Sequence, residues 1–255
     1  MHFYVIKLTT IKIFMAVLLA CVFLSSAPNG ENALAQVFFY KPARKLPIYC
    51  VETNVKNVAL TFDAAWGSDK TEDILNILKT HDVTATFFLV GMWVDKNEEL
   101  VKKIDDQQIE IGTHSNTHPD LTKLSKTQME LELSTSSKKI EDITNKKVTV
   151  FRAPYGAYNN NLISVAENLN LQTIQWDVDS LDWKGISAKT ICGNILKKVK
   201  NGSIILCHNN SDHIVEALPS IILGLKSRGY NFVSVSSLIH KNNYIIDSTG
   251  KQISN

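Results

Sequence analysis

The stretch NVALTFDAAWGSDKTEDILNILKTHDVTATFFLV, residues 57–90, carries the fold in miniature. Val58, Ala59, Leu60 and Phe62 make a short bulky run that stops at Asp63. Ile74, Ile77 and Leu78 then recur at helical spacing, and Thr84–Val90 is a second apolar run rich in aromatic and β-branched residues. Strand, helix and strand within about thirty residues describe a βαβ unit, whose two strands run parallel and whose crossover is right-handed.

The same alternation continues outward. Strands are expected at Asn57–Phe62, Thr84–Val90, Ile109–Gly112, Val148–Phe151, Leu171–Trp176, Ser203–Cys207 and Tyr230–Val233. Asp95-x-x-Glu98 reads as a capping box before Leu100, Val101 and Ile104; Ser125-x-x-Gln128 reads as another before Met129, Leu133, Ser136, Ile140 and Ile143. Ile191, Ile195 and Val199 mark a further helix, as do Ile214, Leu218, Ile221, Ile222 and Leu225. About seven such units fit an α/β fold of the distorted (β/α)-barrel kind, with about seven parallel strands, better than an open doubly wound sheet. No G-x-G-x-x-G or P-loop turn follows any strand, which argues against nucleotide binding.

A chain of 255 residues, 44% hydrophobic and 20% charged, suits one large domain. A net charge of +2, without a basic stripe, argues against nucleic acid as a partner. The N-terminus stands apart. Lys7 and Lys12 precede an apolar run from Ile13 to Leu24, and Ala33-Leu34-Ala35 offers a cleavage site that leaves Gln36 first. This describes a signal peptide; an uncleaved anchor, lipidation at the Leu18-Leu19-Ala20-Cys21 box, or a buried N-terminal helix are the alternatives. Removing Lys7, Lys12 and Glu31 with it leaves +1. The expected organisation is 1–35 as signal peptide or membrane anchor, 36–56 as lead-in, 57–240 as the catalytic domain and 241–255 as a tail. The protein is then secreted, or held at the outer face of the cytoplasmic membrane or in the cell wall, with membrane contact only through an uncleaved N-terminal segment. Cys50, Cys192 and Cys207 remain after removal of Cys21, an odd number without metal-site spacing; buried thiols are the simple reading and one disulfide the alternative.

Residues able to do chemistry cluster just past the strand ends. Asp63 follows the first strand, and His114 and His118 follow the third. Arg152 follows Val148–Phe151, Asp177 and Asp179 follow Ile174-Gln175-Trp176 with Asp182-Trp183 beyond, and His208 follows Cys207. In a β/α barrel these ends share one face, so the side chains meet in one cavity. His114 and His118, at i and i+4, can grip one cation together with Asp63 as a further ligand. A borderline divalent ion suits that donor set: zinc, with cobalt, nickel and manganese as alternatives.

Five segments, Thr61-Phe62-Asp63, His114-x-x-x-His118, Arg152-Ala-Pro154-Tyr155-Gly156, Asp179-Ser-Leu-Asp182-Trp183 and Leu206-Cys-His208, occur in the order seen in NodB-homology polysaccharide deacetylases. The resemblance runs from Asn57 to Ile239, and the Phe62-Asp63-Ala64-Ala65-Trp66-Gly67 version is similar to the sporulation-associated subgroup of Gram-positive bacteria. It implies hydrolysis of N-acetyl groups on an extracellular polysaccharide, peptidoglycan or a chitin-like polymer, and a link to spore formation. It also implies a catalytic set of Asp63 as base, His208 as acid, Arg152 orienting the base and Asp182 holding His208. Metal ligation falls to His114 and His118. A backbone N–H near Tyr155 would meet the oxyanion, and Trp183 with Leu206 would wall an acetyl pocket. Trp66, Trp93 and Tyr155 are candidates to stack on sugar rings, with core packing as the other reading of Trp93.

One position departs from the family pattern. Most members place a second Asp directly after the catalytic one as third metal ligand, and here that position is Ala64. Asp69 reads either as a replacement ligand or as a helix cap. Three function classes follow: an active deacetylase, a catalytically inactive glycan-binding envelope protein, and another metal hydrolase such as an esterase.

Overall fold

The computed structural model describes residue 15 and residues 44–255. The chain divides into two units, Met1–Arg44 and Lys45–Asn255, and every element below belongs to the second. The proposed signal-peptide features, the cleavage site and Cys21 lie outside the described residues. Among those described, no helix is long and apolar enough to cross a membrane.

Strands β1 (Cys50–Val51), β2 (Asn57–Ala64), β3 (Thr86–Leu89), β4 (Glu110–Thr113), β5 (Val150–Phe151), β6 (Gln172–Thr173), β7 (Val178–Asp179), β8 (Ile204–His208) and β9 (Asn231–Phe232) alternate with helices except between β1 and β2 and between β6 and β7. The helices are α1 (Thr71–Thr80), α2 (Gly91–Lys96), α3 (Glu98–Asp106), α4 (Lys126–Thr144), α5 (Asn160–Asn168), α6 (Ala188–Lys198), α7 (Ile214–Ser227) and α8 (Val235–Leu238). The main sheet runs β6-β5-β4-β3-β2-β8-β7, and every pair in it is parallel.

This order forces curvature. β6 and β7 lie at opposite edges of seven strands, yet only residues 174–177 join them. A flat sheet would set those edges about 29 Å apart, whereas five residue steps reach about 17 Å. The sheet therefore curls into a distorted barrel, and the lead-in plugs the seam. Ile48 bridges to Ile174, and Cys50 bridges to Ser203. This is the expected (β/α) barrel.

Pleat alternation divides β2 between two layers. Val58, Leu60, Phe62 and Ala64 pack in the outer cluster between sheet and helices, while Ala59 joins Phe88, Val150, Ile174 and Ile204 inside the barrel. Thr61 and Asp63 share that inner parity.

Several boundaries differ from expectation. The run 171–176 forms a strand only at β6; beyond it the Gln175 N–H donates to the Ile48 carbonyl, and the Ile48 N–H donates back to the Thr173 carbonyl. The run 148–151 shortens to β5, with the Val148 N–H bonded to Glu141. Asp95 caps nothing: it lies inside α2 and pairs with Lys139, and α3 has Asn97 at its N-cap position without a side-chain cap bond. The Ser125–Gln128 capping box forms in full. The three thiols are free. Residues read as a tail form β10 (Tyr244–Ile246) and β11 (Lys251–Ser254), and β11 pairs parallel with β1.

Candidate active site

Asp63 and His208 end adjacent parallel strands and are direct register partners. Neighbouring strands lie about 4.8 Å apart, so the two groups stand side by side at the mouth of the barrel.

Arg152, fully buried, anchors the first of them. Its Nη1 donates to Asp63 Oδ1 at 2.7 Å and to Thr61 Oγ1 at 2.8 Å, and Nη2 donates to the Gln175 carbonyl at 3.1 Å. The Phe88 ring stacks 4.2 Å from the guanidinium. Burial pushes the Asp63 carboxyl up, but the Arg152 charge, with the His114 and His208 imidazoles, outweighs it and holds the group below the usual carboxylate range. Thr61, quoted only as the first residue of a motif, and Gln175 have no role in the sequence reading, although a polar residue inside an apolar run is the signal that could have found them.

The imidazole pair sits beside this carboxylate. His114 Nδ1 lies 2.8 Å from the Arg152 carbonyl, so that nitrogen carries the proton and Nε2 keeps its lone pair, 3.6 Å from Asp63 Oδ2. Burial drives the His114 pKa down to about 4, so this approach joins a carboxylate to a neutral ring. The His118 ring lies 5.0 Å from His114, and burial lowers its pKa too. Its buried Nδ1 has no hydrogen-bond partner among the described residues.

These features fit a divalent cation: two neutral imidazoles, one with its proton fixed by a carbonyl and one with an orphaned buried nitrogen, next to a carboxylate oxygen. They do not make a full cage. Among the described residues no group of three or more His, Cys, Asp or Glu side chains has metal-binding geometry. Ala64 explains the shortfall, since it falls on the outer pleat and is fully buried in the sheet–helix core. Asp69 fills neither expected role: its exposed side chain approaches Lys70 at 3.6 Å, and α1 has no side-chain cap.

Across the mouth, Asp182 is buried and binds His208 twice. The His208 N–H donates to Oδ2 at 2.8 Å, and Nδ1 meets Oδ1 at 2.7 Å. Burial alone would lower the His208 pKa, but the Asp182 hydrogen bond and charge raise it above the ordinary imidazole value. Leu206, two residues earlier on β8, shares the pleat face of His208. Trp183 follows Asp182 and is 59% exposed.

Tyr155 takes a left-handed conformation at φ +60° between Pro154 and Gly156. Its hydroxyl donates to the His118 carbonyl at 3.3 Å, and its ring, 72% exposed, packs 4.8 Å from the His118 ring. Exposed Trp66 flanks His118 from another side at 5.9 Å. Trp93 is a core residue whose indole N–H donates to the Gly67 carbonyl. Asp177 is not at this face: it lies just before β7 and accepts from Ile204 N and Ser203 Oγ, both at 3.0 Å, near the other end of β8.

Proton donors and acceptors converge on a barrel mouth without a phosphate-cradling turn, which is the equipment of a hydrolase. The polysaccharide deacetylase family model matches residues 51–174. The chain is 38% identical over 183 residues to the peptidoglycan-N-acetylglucosamine deacetylase PgdA of Listeria monocytogenes, covering 72% of this chain and 39% of that protein. It therefore spans about two fifths of that relative's length. Among solved structures, the Bc1960 peptidoglycan N-acetylglucosamine deacetylase is 33% identical with a TM-score of 0.73, covering 80% of this chain and 95% of that one. A CE4-family pseudoenzyme from Bacillus anthracis is 38% identical, also at 0.73, covering 78% and 69%. The chain belongs to the CE4 family of polysaccharide deacetylases.

Proposed function

We propose that this chain removes N-acetyl groups from an N-acetylglucosamine-containing polysaccharide of the cell envelope, peptidoglycan first and a chitin-like polymer second. The observation that carries this reading is the register pairing of Asp63 with His208, one group held ionised by Arg152 and the other biased towards its protonated form by Asp182. Amide hydrolysis needs both, because an amine leaves poorly unless protonated. Asp63 takes a proton from the attacking water. His208 gives one to the departing sugar nitrogen. The Tyr155 N–H is set to meet the developing oxyanion, Leu206 and Trp183 bound the acetyl methyl, and Trp66 with Tyr155 offers faces to a sugar ring. A divalent cation at His114 and His118, zinc in the first instance, would supply Lewis acidity to the acetamide carbonyl and to water.

In this reading residues 57–240 are the catalytic domain behind an export segment, 1–35, and the protein works outside the cytoplasmic membrane during spore formation. The test is acetate release from N-acetylglucosamine oligomers and from peptidoglycan by metal-stripped protein resupplied with zinc, cobalt, nickel or manganese. Release should depend on the metal and vanish in Asp63→Asn.

Ala64 favours a second reading, an inactive glycan-binding protein, and a relative described as a pseudoenzyme supports it. Glycan binding without acetate release under any of these metals would make that second reading the correct one.

A further inference from the structure

Between His114 and His118 the backbone makes a turn that its own residues do not favour. Ser115 at φ +70° and His118 at φ +60° are both left-handed, a region that non-glycine residues hold only when their surroundings impose it. Two helices impose it here. From one side, the N–H groups of Gly91 and Met92, the first residues of α2, donate to the carbonyls of Ser115 and Asn116 at 2.9 Å each. The approach is so close that a Cβ at Gly91 would lie 2.2 Å from Asn116 Oδ1 and 3.1 Å from its Cα.

From the other side, α4 presents Glu132. Its Oε2 accepts the backbone N–H groups of Asn116 and Thr117, both at 2.8 Å, and its Oε1 accepts the Thr117 hydroxyl at 2.6 Å. Lys139, two turns further along α4, donates to Asn116 Oδ1 at 2.9 Å. Two of the turn's carbonyls and two of its N–H groups are thus fixed from outside it, and one carboxylate satisfies both of those N–H groups; within the turn the His118 N–H donates to Ser115 Oγ at 3.0 Å.

We propose that Glu132 is a positioning residue for His118: it holds 115–118 in the left-handed turn that sets the second imidazole beside the first, while touching neither ring. Its effect on cation binding rests on the reading of His114 and His118 as a cation-binding pair; its effect on the turn does not. The Asn116 and Thr117 amides should be among the most protected in any loop of the chain, although Thr117 is exposed.

The experiment compares the full chain with Glu132→Ala and Glu132→Gln, using hydrogen exchange of peptides spanning 113–120, the melting midpoint and zinc titration by calorimetry. In E132A the Asn116 and Thr117 amides should exchange about tenfold faster or more, and zinc affinity should fall about ten- to a hundredfold. The melting midpoint should move little. E132Q should recover most of both effects, because its amide oxygen can still accept the two N–H groups. Wild-type exchange at Asn116 and Thr117 in E132A overturns the proposal. So does faster exchange spread evenly over α4 and β4, which would mark a merely structural contact. If the unaltered protein binds no zinc, the cation reading of the pair fails by itself, and the exchange data still decide what Glu132 does.

Discussion

On the β8 side of the site, Asp182 and His208 satisfy each other through two bonds, and the Asp182 carbonyl accepts from Ser211 Oγ at 2.9 Å. On the β4 side, a buried nitrogen of His118 has no partner among the described residues, and the residue after Asp63 offers only a methyl group. The Asp182–His208 pair is closed before any substrate arrives. The other side keeps polar atoms unpaired in a buried place, an arrangement that a folded protein tolerates where something brought from outside completes it.

Substitutions can break or sharpen this contrast. The largest effect is expected from Arg152→Met, which leaves Asp63 as a buried, unpaired carboxylate and should cost about 3–5 kcal/mol of stability at neutral pH, read by urea denaturation. Because the folded Asp63 pKa is depressed, the Arg152–Asp63 contribution is present above the unfolded carboxyl value of about 3.9 and fades as pH falls through the lower native one. The gap between variant and wild type should therefore shrink in acid. A gap that stays constant from pH 7 to pH 3 would mean that the pair is not the source.

Next comes Asp182→Asn, which removes the charge that raises the His208 pKa. Acetate release above neutral pH should fall about a hundredfold, roughly 2.7 kcal/mol in barrier, and the alkaline limb of the pH–rate profile should move to lower pH. An unmoved limb would detach His208 from proton donation. The smallest effect is expected from Ala64→Asp. A carboxylate there should tighten zinc binding about tenfold, the low end for an added or lost ligand-supporting group. It should also lower the melting midpoint, since the position is buried among apolar side chains. Unchanged zinc affinity would show that the outer pleat cannot deliver a ligand.

The barrel was legible because Val58–Phe62, Thr86–Leu89 and Ile204–Cys207 are central strands, buried on both faces, and such strands read as continuous apolar runs. The site was legible to the extent that its groups follow those runs directly, as Asp63, Arg152 and His208 do. β7 was hidden because two residues carry no periodicity, and Asp177 was placed at the wrong end for that reason. Glu132 was hidden differently. It lies next to Leu133 on an amphipathic helix, where a glutamate reads as solvated surface until its partners fifteen and sixteen residues away are known. Nothing in the order of residues says that a short stretch at 115–118 must be gripped from both sides.

The pairing of β11 with β1 bears on how the molecule is made. Lys251 reaches Glu52 across 199 positions, and closing a loop of that length costs on the order of 5 kcal/mol of chain entropy. The seam strand can therefore be fastened only once residues 251–254 have been made, because its parallel partner lies that much further along the chain. Until then β1 lacks its parallel partner, and the nascent chain stays short of its full cooperativity. Deleting residues 251–255 should accordingly slow refolding and leave a product sensitive to proteolysis near Cys50, with Asp63 and His208 still in register.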